Sequence, residues 1–238
     1  MWWFGAKKVP VNLGLELVVE VHNHVLPGLD DGAGNMQDAM QMIFFWVEMG
    51  YQKVIATPHY NAYFRTKDAD IEEKLLQLRQ HIQEQEMPIH LTAAAEYLLE
   101  RELLEKATQL RFFGPKRYLL VEMDFSVLPI GWEEAFFTLQ QQGYTIVIAH
   151  PERYAYATRD RLKNWYERGY FLQVNLLSLA GYYGKTEMER AEYLLEKGWV
   201  HFVGSDMHHP GQIESLRKAL QKKVLRRRLD KFLNPTLL

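Results

Sequence analysis

Cysteine is absent from all 238 residues of the sequence. Its absence excludes disulfide bonds, thiolate metal ligands and any reaction that needs a cysteine nucleophile, including that of the cysteine-dependent phosphatases. Long apolar runs are also absent, since no segment reaches the roughly 18 apolar residues of a membrane span. The apolar start of the chain, residues 1–4, is too short for a signal peptide. We therefore predict a cytoplasmic protein.

The chain also lacks a large excess of charge of either sign. Its formal net charge is -2 at pH 7, which gives no electrostatic reason to expect binding to nucleic acid or to an anionic membrane. The length suits one α/β domain or two small ones, and we find no linker. We therefore expect a single domain over residues 1–238, with an N-terminal extension at 1–15 and a C-terminal helix and tail from about 212 to 238.

Apolar segments that end in a histidine or a carboxylate recur along the chain. We predict seven strands, at residues 15–21, 53–57, 89–95, 118–121, 145–149, 171–174 and 200–203. The first strand is followed by His22 and His24, and side chains two residues apart share one face of a strand. The other strands end at His59, Glu96, Glu122, His150, Asn175 and the pair Asp206 and His208.

Segments with helical periodicity alternate with these strands at a spacing near 30 residues. They cover residues 38–49, 67–86, 101–107, 132–142 and 159–168, and a capping box at 186–189 opens another helix that stops at Gly198. Alternation of this kind predicts an α/β fold with parallel strands and right-handed crossovers. Because a barrel brings strand C-termini together, whereas an open sheet spreads them along an edge, we predict a seven-stranded relative of the (β/α)₈ barrel with its site at the C-terminal mouth.

Nine ionisable side chains are expected at this mouth: His22, His24, Asp31, His59, Glu96, Glu122, His150, Asp206 and His208. Taken singly, each of them is typical of a helix cap or a loop. Nine together would repel one another and be costly to desolvate, and divalent cations would offset both effects. Nitrogen and oxygen ligands without sulfur favour manganese, iron, zinc or cobalt over calcium or magnesium alone. We therefore predict a site for two or three metal ions.

Six segments carry a resemblance to a known family. They are His22-Asn23-His24, residues 26–32 (LPGLDDG), Thr57-Pro58-His59, Glu96-Tyr97, residues 150–154 (HPERY) and residues 204–208 (GSDMH). In these segments the chain resembles the PHP (polymerase and histidinol phosphatase) superfamily, and within it the CpsB/CapC type of bacterial metal-dependent protein-tyrosine phosphatases. The resemblance implies a distorted (β/α)₇ barrel and a trinuclear centre often filled by manganese. It also implies that the substrate is phosphotyrosine on the tail of a tyrosine autokinase that controls capsule or exopolysaccharide synthesis.

The resemblance also assigns roles to individual residues. It implies a first metal on His22, His24, Glu96 and Asp206, a second on Glu96, Glu122 and His150, and a third on Asp31, His59 and His208. Arg153 would bind the phosphate through its planar guanidinium. The resemblance further implies that some members form homo-oligomers. From the residues themselves, Tyr60 and Arg65 after His59 either contact the substrate in a wall for the phosphotyrosine ring or only pack the loop.

The chain departs from the family pattern at two positions. Glu20 stands where the family usually has Asp, and we assign it a supporting catalytic role in which it orients a ligand imidazole. Ile213 stands where many members have a phosphate-binding arginine. Arg217, one helical turn on, either replaces that arginine or is an exposed helix residue.

Two further interpretations concern residues outside the nine predicted ligands. Asn175 and Ser178 either line the mouth or cap a turn, and we favour capping. The basic residues at 222–228 either form a solvated helix face, which we favour, or contact an acidic kinase tail or anionic lipid. Two functional alternatives also stay open. One is hydrolysis of a small phosphoester such as histidinol phosphate or a nucleotide, and the other is low-turnover binding of the kinase tail.

Overall fold

Parallel strands alternate with helices in the computed structural model, which describes residues 17–238. The predicted extension at 1–15 and the start of the first predicted strand lie outside the described residues. The strands are β1 (Val19–Glu20), β2 (Lys53–Ala56), β3 (His59–Tyr60), β4 (His90–Ala93), β5 (Glu96–Leu98), β6 (Tyr118–Glu122), β7 (Thr145–Ala149), β8 (Phe171–Asn175) and β9 (Phe202–Gly204). The helices are α1 (Met36–Glu48), α2 (Asp68–Glu84), α3 (Arg101–Glu105), α4 (Trp132–Gln141), α5 (Arg159–Glu167), α6 (Leu176–Leu179), α7 (Lys185–Lys197), α8 (Ile213–Leu220) and α9 (Lys223–Arg226).

The strands form two parallel sheets, with orders β1-β2-β4 and β3-β5-β6-β7-β8-β9. Two of the predicted strands pass from one sheet into the other. Thr57 and Pro58 separate β2 from β3, and two alanines separate β4 from β5. Proline has no N–H to donate to a ladder, which explains the break after β2. The prediction that Glu96 follows a strand is therefore wrong, since Glu96 begins β5.

Main-chain hydrogen bonds also join the ends of the first and last strands. The N–H of Asp206 donates to the carbonyl of His22 at 2.8 Å, and the N–H of His24 donates to the carbonyl of Met207 at 3.0 Å. Asn23 and Met207 form a parallel bridge. The residues that follow β1 therefore lie directly beside those that follow β9.

Alternate strand residues pack into two different apolar clusters. Leu119 and Val121 of β6 join the large cluster with the helices, whereas Tyr118 and Leu120 belong to a smaller cluster. The smaller cluster also holds Val19, Val21, Ile55, Ala94, Phe113, Val147, Ala149, Phe202 and Leu237. Because neighbouring side chains on a strand point to opposite faces, the sheets have apolar packing on both faces.

The predicted helix ends agree with the structure to within two residues, although one predicted start signal is wrong. Helix α1 has Asn35 as its N-cap, and the side chain of Asn35 accepts from the N–H of Asp38 at 3.0 Å. Helix α7 begins at Lys185 after Gly184, without a side-chain cap hydrogen bond. Thr186 therefore lies inside the first turn and cannot act as the N-cap of a capping box. Within residues 17–238 no helix has the length and apolar character needed to cross a membrane.

The C-terminal tail is attached to the strands by one buried side chain. The amide nitrogen of Asn234 donates to the carbonyls of Val19 and Val203 at 2.9 and 2.7 Å, and its oxygen accepts from the N–H of Val203 at 3.1 Å. Leu237 packs into the smaller apolar cluster. The tail therefore links β1 to β9 at a point before the predicted ligands His22 and Asp206.

Replacing Asn234 with leucine should destabilise the fold without altering any predicted metal ligand. We expect the free energy of unfolding to fall by about 2 to 4 kcal/mol, because each buried main-chain group left without a partner costs about 1 to 3 kcal/mol. Urea denaturation of the wild type and the variant measures the difference. A loss below about 0.5 kcal/mol, the size typical of a neutral surface change, would contradict this role for the tail.

Candidate metal centre

The nine predicted ligands converge in one region of the fold, although His59 and Glu96 begin β3 and β5 and do not follow strands. They form three groups in which one ligand atom from each residue lies within 4.8 Å of the others. The groups are His22, His24, Glu96 and Asp206; Glu96, Glu122 and His150; and His24, Asp31, His59 and His208. His24 belongs to two groups, as does Glu96. The structure thus brings together residues that are up to 186 positions apart, from His22 to His208.

The first group is completely buried. Nε2 of His22 lies 3.1 Å from Oε2 of Glu96 and 3.4 Å from Oδ1 of Asp206. Nε2 of His24 lies 3.3 Å from the same glutamate oxygen and 3.4 Å from the same aspartate oxygen. Two imidazole nitrogens and two carboxylate oxygens therefore face one common point.

The second group uses the other oxygen of Glu96. Nε2 of His150 lies 2.9 Å from Oε1 of Glu96 and 3.5 Å from Oε2 of Glu122. Burial, together with the charges of Glu96 and Asp206, raises the pKa of Glu122 to about 9. Several buried carboxylates lie close together here, which disfavours their ionised forms. A bound cation would offset that cost.

The third group is nearer to solvent. Oδ1 of Asp31 lies 3.6 Å from Nε2 of His59 and 3.5 Å from Nε2 of His208, and the Asp31 side chain is 58% exposed. Asp30, which the sequence analysis does not identify, supports this group. Its Oδ2 lies 2.8 Å from Nδ1 of His24 and accepts from the N–H of His59 at 2.8 Å.

Several ligand atoms are buried without a hydrogen bond, which tests whether the site suits metal ions. Nε2 of His22, Nε2 of His24 and Oε2 of Glu96 have no hydrogen-bond partner in the described part of the chain. Nδ1 of His22 and of His24 instead face oxygen acceptors on Gln173 and Asp30 at 2.7 and 2.8 Å. Because these oxygens accept from Nδ1–H, they favour the tautomer whose Nε2 lone pair is free for a metal. The donor set therefore fits divalent cations that accept nitrogen and oxygen ligands.

Two of the ligands have unusual backbone conformations. His150 has φ 30° and Asp206 has φ 53°, in the left-handed region that residues other than glycine seldom adopt. Backbone strain of this kind costs on the order of 1 to 3 kcal/mol and concentrates at functional sites. The fold therefore retains an unfavourable local conformation at both of these ligands.

Glu20 does not contact an imidazole, in contrast to the role that we expected. Its Oε1 accepts from the main-chain N–H of His22 at 2.9 Å and from that of Ser205 at 3.0 Å. Burial raises the pKa of Glu20 to about 7. The carboxylate therefore holds the main chain after β1 against the main chain after β9, and Gln173 takes the place beside the imidazole.

Arg153 lies between two aromatic rings and next to a predicted ligand. Its Nη1 donates to Oδ2 of Asp206 at 2.7 Å. The guanidinium carbon lies 4.6 Å from the centre of the Phe125 ring and 3.9 Å from that of Tyr183. The Phe125 ring also stacks on the ring of His150, with centres 5.5 Å apart. The sequence analysis does not identify Phe125, because no spacing relates it to the ligands.

Tyr60 and Arg65 line one cavity. The cavity has a volume of about 240 Å³ and is also lined by Asn61, Lys67, Glu100 and Lys106 among others. Tyr60 is half-buried and packs against Tyr97, with ring centres 5.1 Å apart, whereas Arg65 is exposed. Both residues therefore border open space, and Tyr60 directly follows the predicted ligand His59.

Two interpretations of other polar residues are wrong. Arg217 is not an exposed helix residue, because its guanidinium pairs with Glu48 of α1 and its side chain is only 29% exposed. Asn175 does not cap a turn with its side chain, since its amide nitrogen donates to Oδ2 of Asp206 at 2.7 Å. Ser178 donates to the buried Glu152 at 2.7 Å.

The basic residues at 222–228 also make contacts with a neighbouring helix. Lys222 pairs with Glu192 at 3.0 Å, and Arg228 donates to the carbonyl of Glu196 at 2.8 Å. Both partners lie on α7. Part of the basic segment therefore attaches the C-terminal region to the domain instead of forming a fully solvated face.

Comparisons with known proteins agree with this geometry. Residues 18–234 match the sequence model of the family described as "Capsular polysaccharide synthesis, CpsB/CapC". The tyrosine-protein phosphatase YwqE of Bacillus subtilis (strain 168) is 33% identical over 199 residues, which make up 81% of this chain and 78% of that protein. The tyrosine-protein phosphatase CpsB of Streptococcus pneumoniae is 26% identical over 202 residues, or 81% of this chain and 83% of that protein.

Among solved structures, the chain matches one from the "Crystal structures of YwqE from Bacillus subtilis and CpsB from Streptococcus pneumoniae, unique metal-dependent tyrosine phosphatases". The TM-score is 0.76 and the sequence identity 30%, and the alignment covers 92% of this chain and 94% of the other. The structural similarity therefore extends over most of both chains.

Proposed function

The chain belongs to the CpsB/CapC family, and from this premise we propose that it is a metal-dependent protein-tyrosine phosphatase. One observation carries the proposal. The nine side chains form three adjoining groups. Within them, Nε2 of His22, Nε2 of His24 and Oε2 of Glu96 are buried without a hydrogen-bond partner among residues 17–238. Such atoms are costly to bury unless a cation binds them. A chain with this arrangement, and with 33% identity to a named tyrosine phosphatase, has the site that such an enzyme needs.

We assign one divalent cation to each of the three groups, with manganese as the first choice and iron, zinc or cobalt as alternatives. Bound cations would supply positive charge to the phosphate oxygens and a water molecule of lowered pKa at neutral pH. Glu96 directs one oxygen to the first group and the other to the second. It therefore sets the spacing between these two sites.

Residues around the groups are assigned to the substrate. Arg153 would donate from its free guanidinium N–H groups to the phosphate, while Asp206 and the two aromatic rings hold it in place. Tyr60 and Arg65 would contact the phosphotyrosine-bearing segment from the cavity that they line. Glu20 would act indirectly by fixing the main chain of His22. Because the phenol of tyrosine has a pKa near 10, it leaves without a strong general acid.

The proposed substrate is phosphotyrosine on the tail of a bacterial tyrosine autokinase that controls capsule or exopolysaccharide synthesis. Assembly into homo-oligomers is a further proposal.

We also propose that the two sheets close into a distorted (β/α)₇ barrel. The hydrogen bonds between the ends of β1 and β9 and the separate smaller apolar cluster support this arrangement. Residues 1–238 would then form one domain with an extension at 1–15 and a helix and tail at 212–238. The cytoplasmic location stays a prediction.

A comparison of substrates tests the proposed function. Manganese-loaded protein should hydrolyse a tyrosine-phosphorylated peptide with a kcat/KM at least tenfold above that for histidinol phosphate and for a nucleoside monophosphate. The same peptide phosphorylated on serine serves as the matched control. A higher kcat/KM for either small phosphoester would contradict the proposal and indicate that the enzyme hydrolyses a small metabolite. Tight peptide binding without phosphate release would indicate the low-turnover binder.

A further inference from the structure

Strand β8 contributes no residue to the three ligand groups found in the described part of the chain, yet it places two buried amides beside them. Gln173 and Asn175 have no exposed surface. Both are on the same face of β8, because residues two apart on a strand point in the same direction. A buried amide is costly unless its donors and acceptors are satisfied, so the partners of these two side chains are informative.

Gln173 contacts the first ligand of the chain. Its Oε1 lies 2.7 Å from Nδ1 of His22 and also accepts from the main-chain N–H of His150 at 3.3 Å. An amide oxygen only accepts hydrogen bonds, so Nδ1 of His22 must be the donor. The contact therefore leaves Nε2 of His22 as the free lone pair, directed to Glu96 and Asp206.

The remaining atoms of the two amides continue the chain of hydrogen bonds to Asp206. The amide nitrogen of Gln173 donates to Oδ1 of Asn175 at 2.9 Å, and the amide nitrogen of Asn175 donates to Oδ2 of Asp206 at 2.7 Å. Each donor points the same way, from the imidazole to the carboxylate. The orientation of one amide thus fixes the orientation of the other.

Three donors converge on the same oxygen of Asp206. Besides Asn175, Oδ2 accepts from Nη1 of Arg153 at 2.7 Å and from the hydroxyl of Tyr183 at 3.1 Å. Oδ1 is the atom that lies 3.4 Å from Nε2 of both His22 and His24. The hydrogen bonds therefore select which carboxylate oxygen faces the first ligand group.

The main chain of Asn175 is itself held by a buried carboxylate. Its N–H donates to Oε1 of Glu152 at 2.9 Å, and the same oxygen accepts from the hydroxyl of Ser178 at 2.7 Å. Glu152 directly follows the His150-Pro151 pair in sequence. The main chain of Asn175 is therefore hydrogen-bonded to the segment that also carries His150, a residue of the second group.

We propose that Gln173 and Asn175 are positioning residues of the metal centre. Together they fix the tautomer of His22 and the orientation of Asp206, so that both ligands of the first group face one metal ion. The inference rests on the metal dependence in the proposed function, but it concerns metal affinity and not the substrate. Hydrogen-bond partners of metal ligands typically contribute 10- to 100-fold to metal affinity.

Neutral isosteres test the proposal. We would titrate chelator-stripped wild type, Gln173→Met and Asn175→Leu with Mn²⁺ alone by calorimetry, and record the thermal unfolding midpoint of each metal-free protein. Asn234→Leu is the matched control, since Asn234 is equally buried and bonds only to the main chain of Val19 and Val203. Both β8 variants should weaken one Mn²⁺ binding step by about 10- to 100-fold. The control should keep the wild-type dissociation constants within about twofold while losing stability.

Three results would overturn the proposal. Unchanged Mn²⁺ affinity in the folded β8 variants would show that the amide chain is only structural. An equal loss of affinity in Asn234→Leu would attribute the effect to general destabilisation. Failure of wild-type protein to bind Mn²⁺ would remove both this inference and the metal-dependent function. If the wild type binds Mn²⁺ but does not hydrolyse phosphotyrosine, only the proposed function fails.

Discussion

Glu96→Gln should reduce turnover of a tyrosine-phosphorylated peptide by about a thousandfold. Losing a metal ion removes several kcal/mol of transition-state stabilisation, and about 1.4 kcal/mol corresponds to a tenfold change in rate. Glu96 is the residue whose two oxygens face two different ligand groups. The amide nitrogen in the variant can donate but cannot ligate a cation, so one group loses a ligand. Steady-state kinetics at saturating Mn²⁺, beside metal analysis of the purified variant, measure both effects.

Glu105→Gln provides the matched control for this substitution. Glu105 lies on α3, is exposed and pairs with Arg101 at 3.0 Å. The same chemical change should leave both turnover and metal content at wild-type levels there, since exposed ion pairs contribute little. Wild-type turnover by Glu96→Gln at normal metal content would contradict the bridging role of Glu96.

Arg153→Lys should lower kcat/KM for the phosphopeptide by about a hundredfold, which corresponds to about 2.7 kcal/mol. Lysine keeps the positive charge but lacks the planar guanidinium that can donate hydrogen bonds to Asp206 and to a phosphate at the same time. It also cannot stack its charged group between the rings of Phe125 and Tyr183 as a guanidinium does. The measurement is made at saturating Mn²⁺, so that an altered hydrogen bond to Asp206 does not appear as metal loss.

Arg217→Lys distinguishes the two arginines that the sequence offers for phosphate binding. Arg217 is also partly buried and paired with a carboxylate, but its partner is Glu48 of α1. We expect its kcat/KM to stay within about threefold of wild type, because a lysine can retain that ion pair. If Arg217→Lys were the more damaging change, the phosphate would be bound by Arg217 and the assignment of Arg153 would be wrong.

The sequence identifies most of the side chains that meet in the three groups, because their signal is local. An apolar strand that ends in His or Glu places that side chain at a strand C-terminus, and the fold brings those ends together. His22, Glu122 and His150 are found in this way. The interruption of the predicted strand at Thr57 and Pro58 is harder to predict, since it depends on how the two sheets meet and not on the local sequence pattern.

The residues that support the ligands could not be identified from the sequence. Gln173 resembles an ordinary strand residue, and only the structure places its oxygen against His22, which is 151 positions away. The sequence alone does not distinguish Asp30 from its neighbour Asp31, although the two carboxylates have different partners in the structure. Phe125 lies in a loop and stacks on Arg153 through tertiary contact alone. Contacts of this kind depend on how distant segments pack, which a single sequence does not reveal.

The account depends most directly on one measurement, the rate of phosphate release from a tyrosine-phosphorylated peptide as chelator-stripped protein is titrated with Mn²⁺. Stripped protein should show no turnover, and the rate should rise with bound metal until the three ligand groups of the mouth are filled. Turnover that persists without any metal would contradict the account, as would fully loaded protein that leaves the peptide phosphorylated.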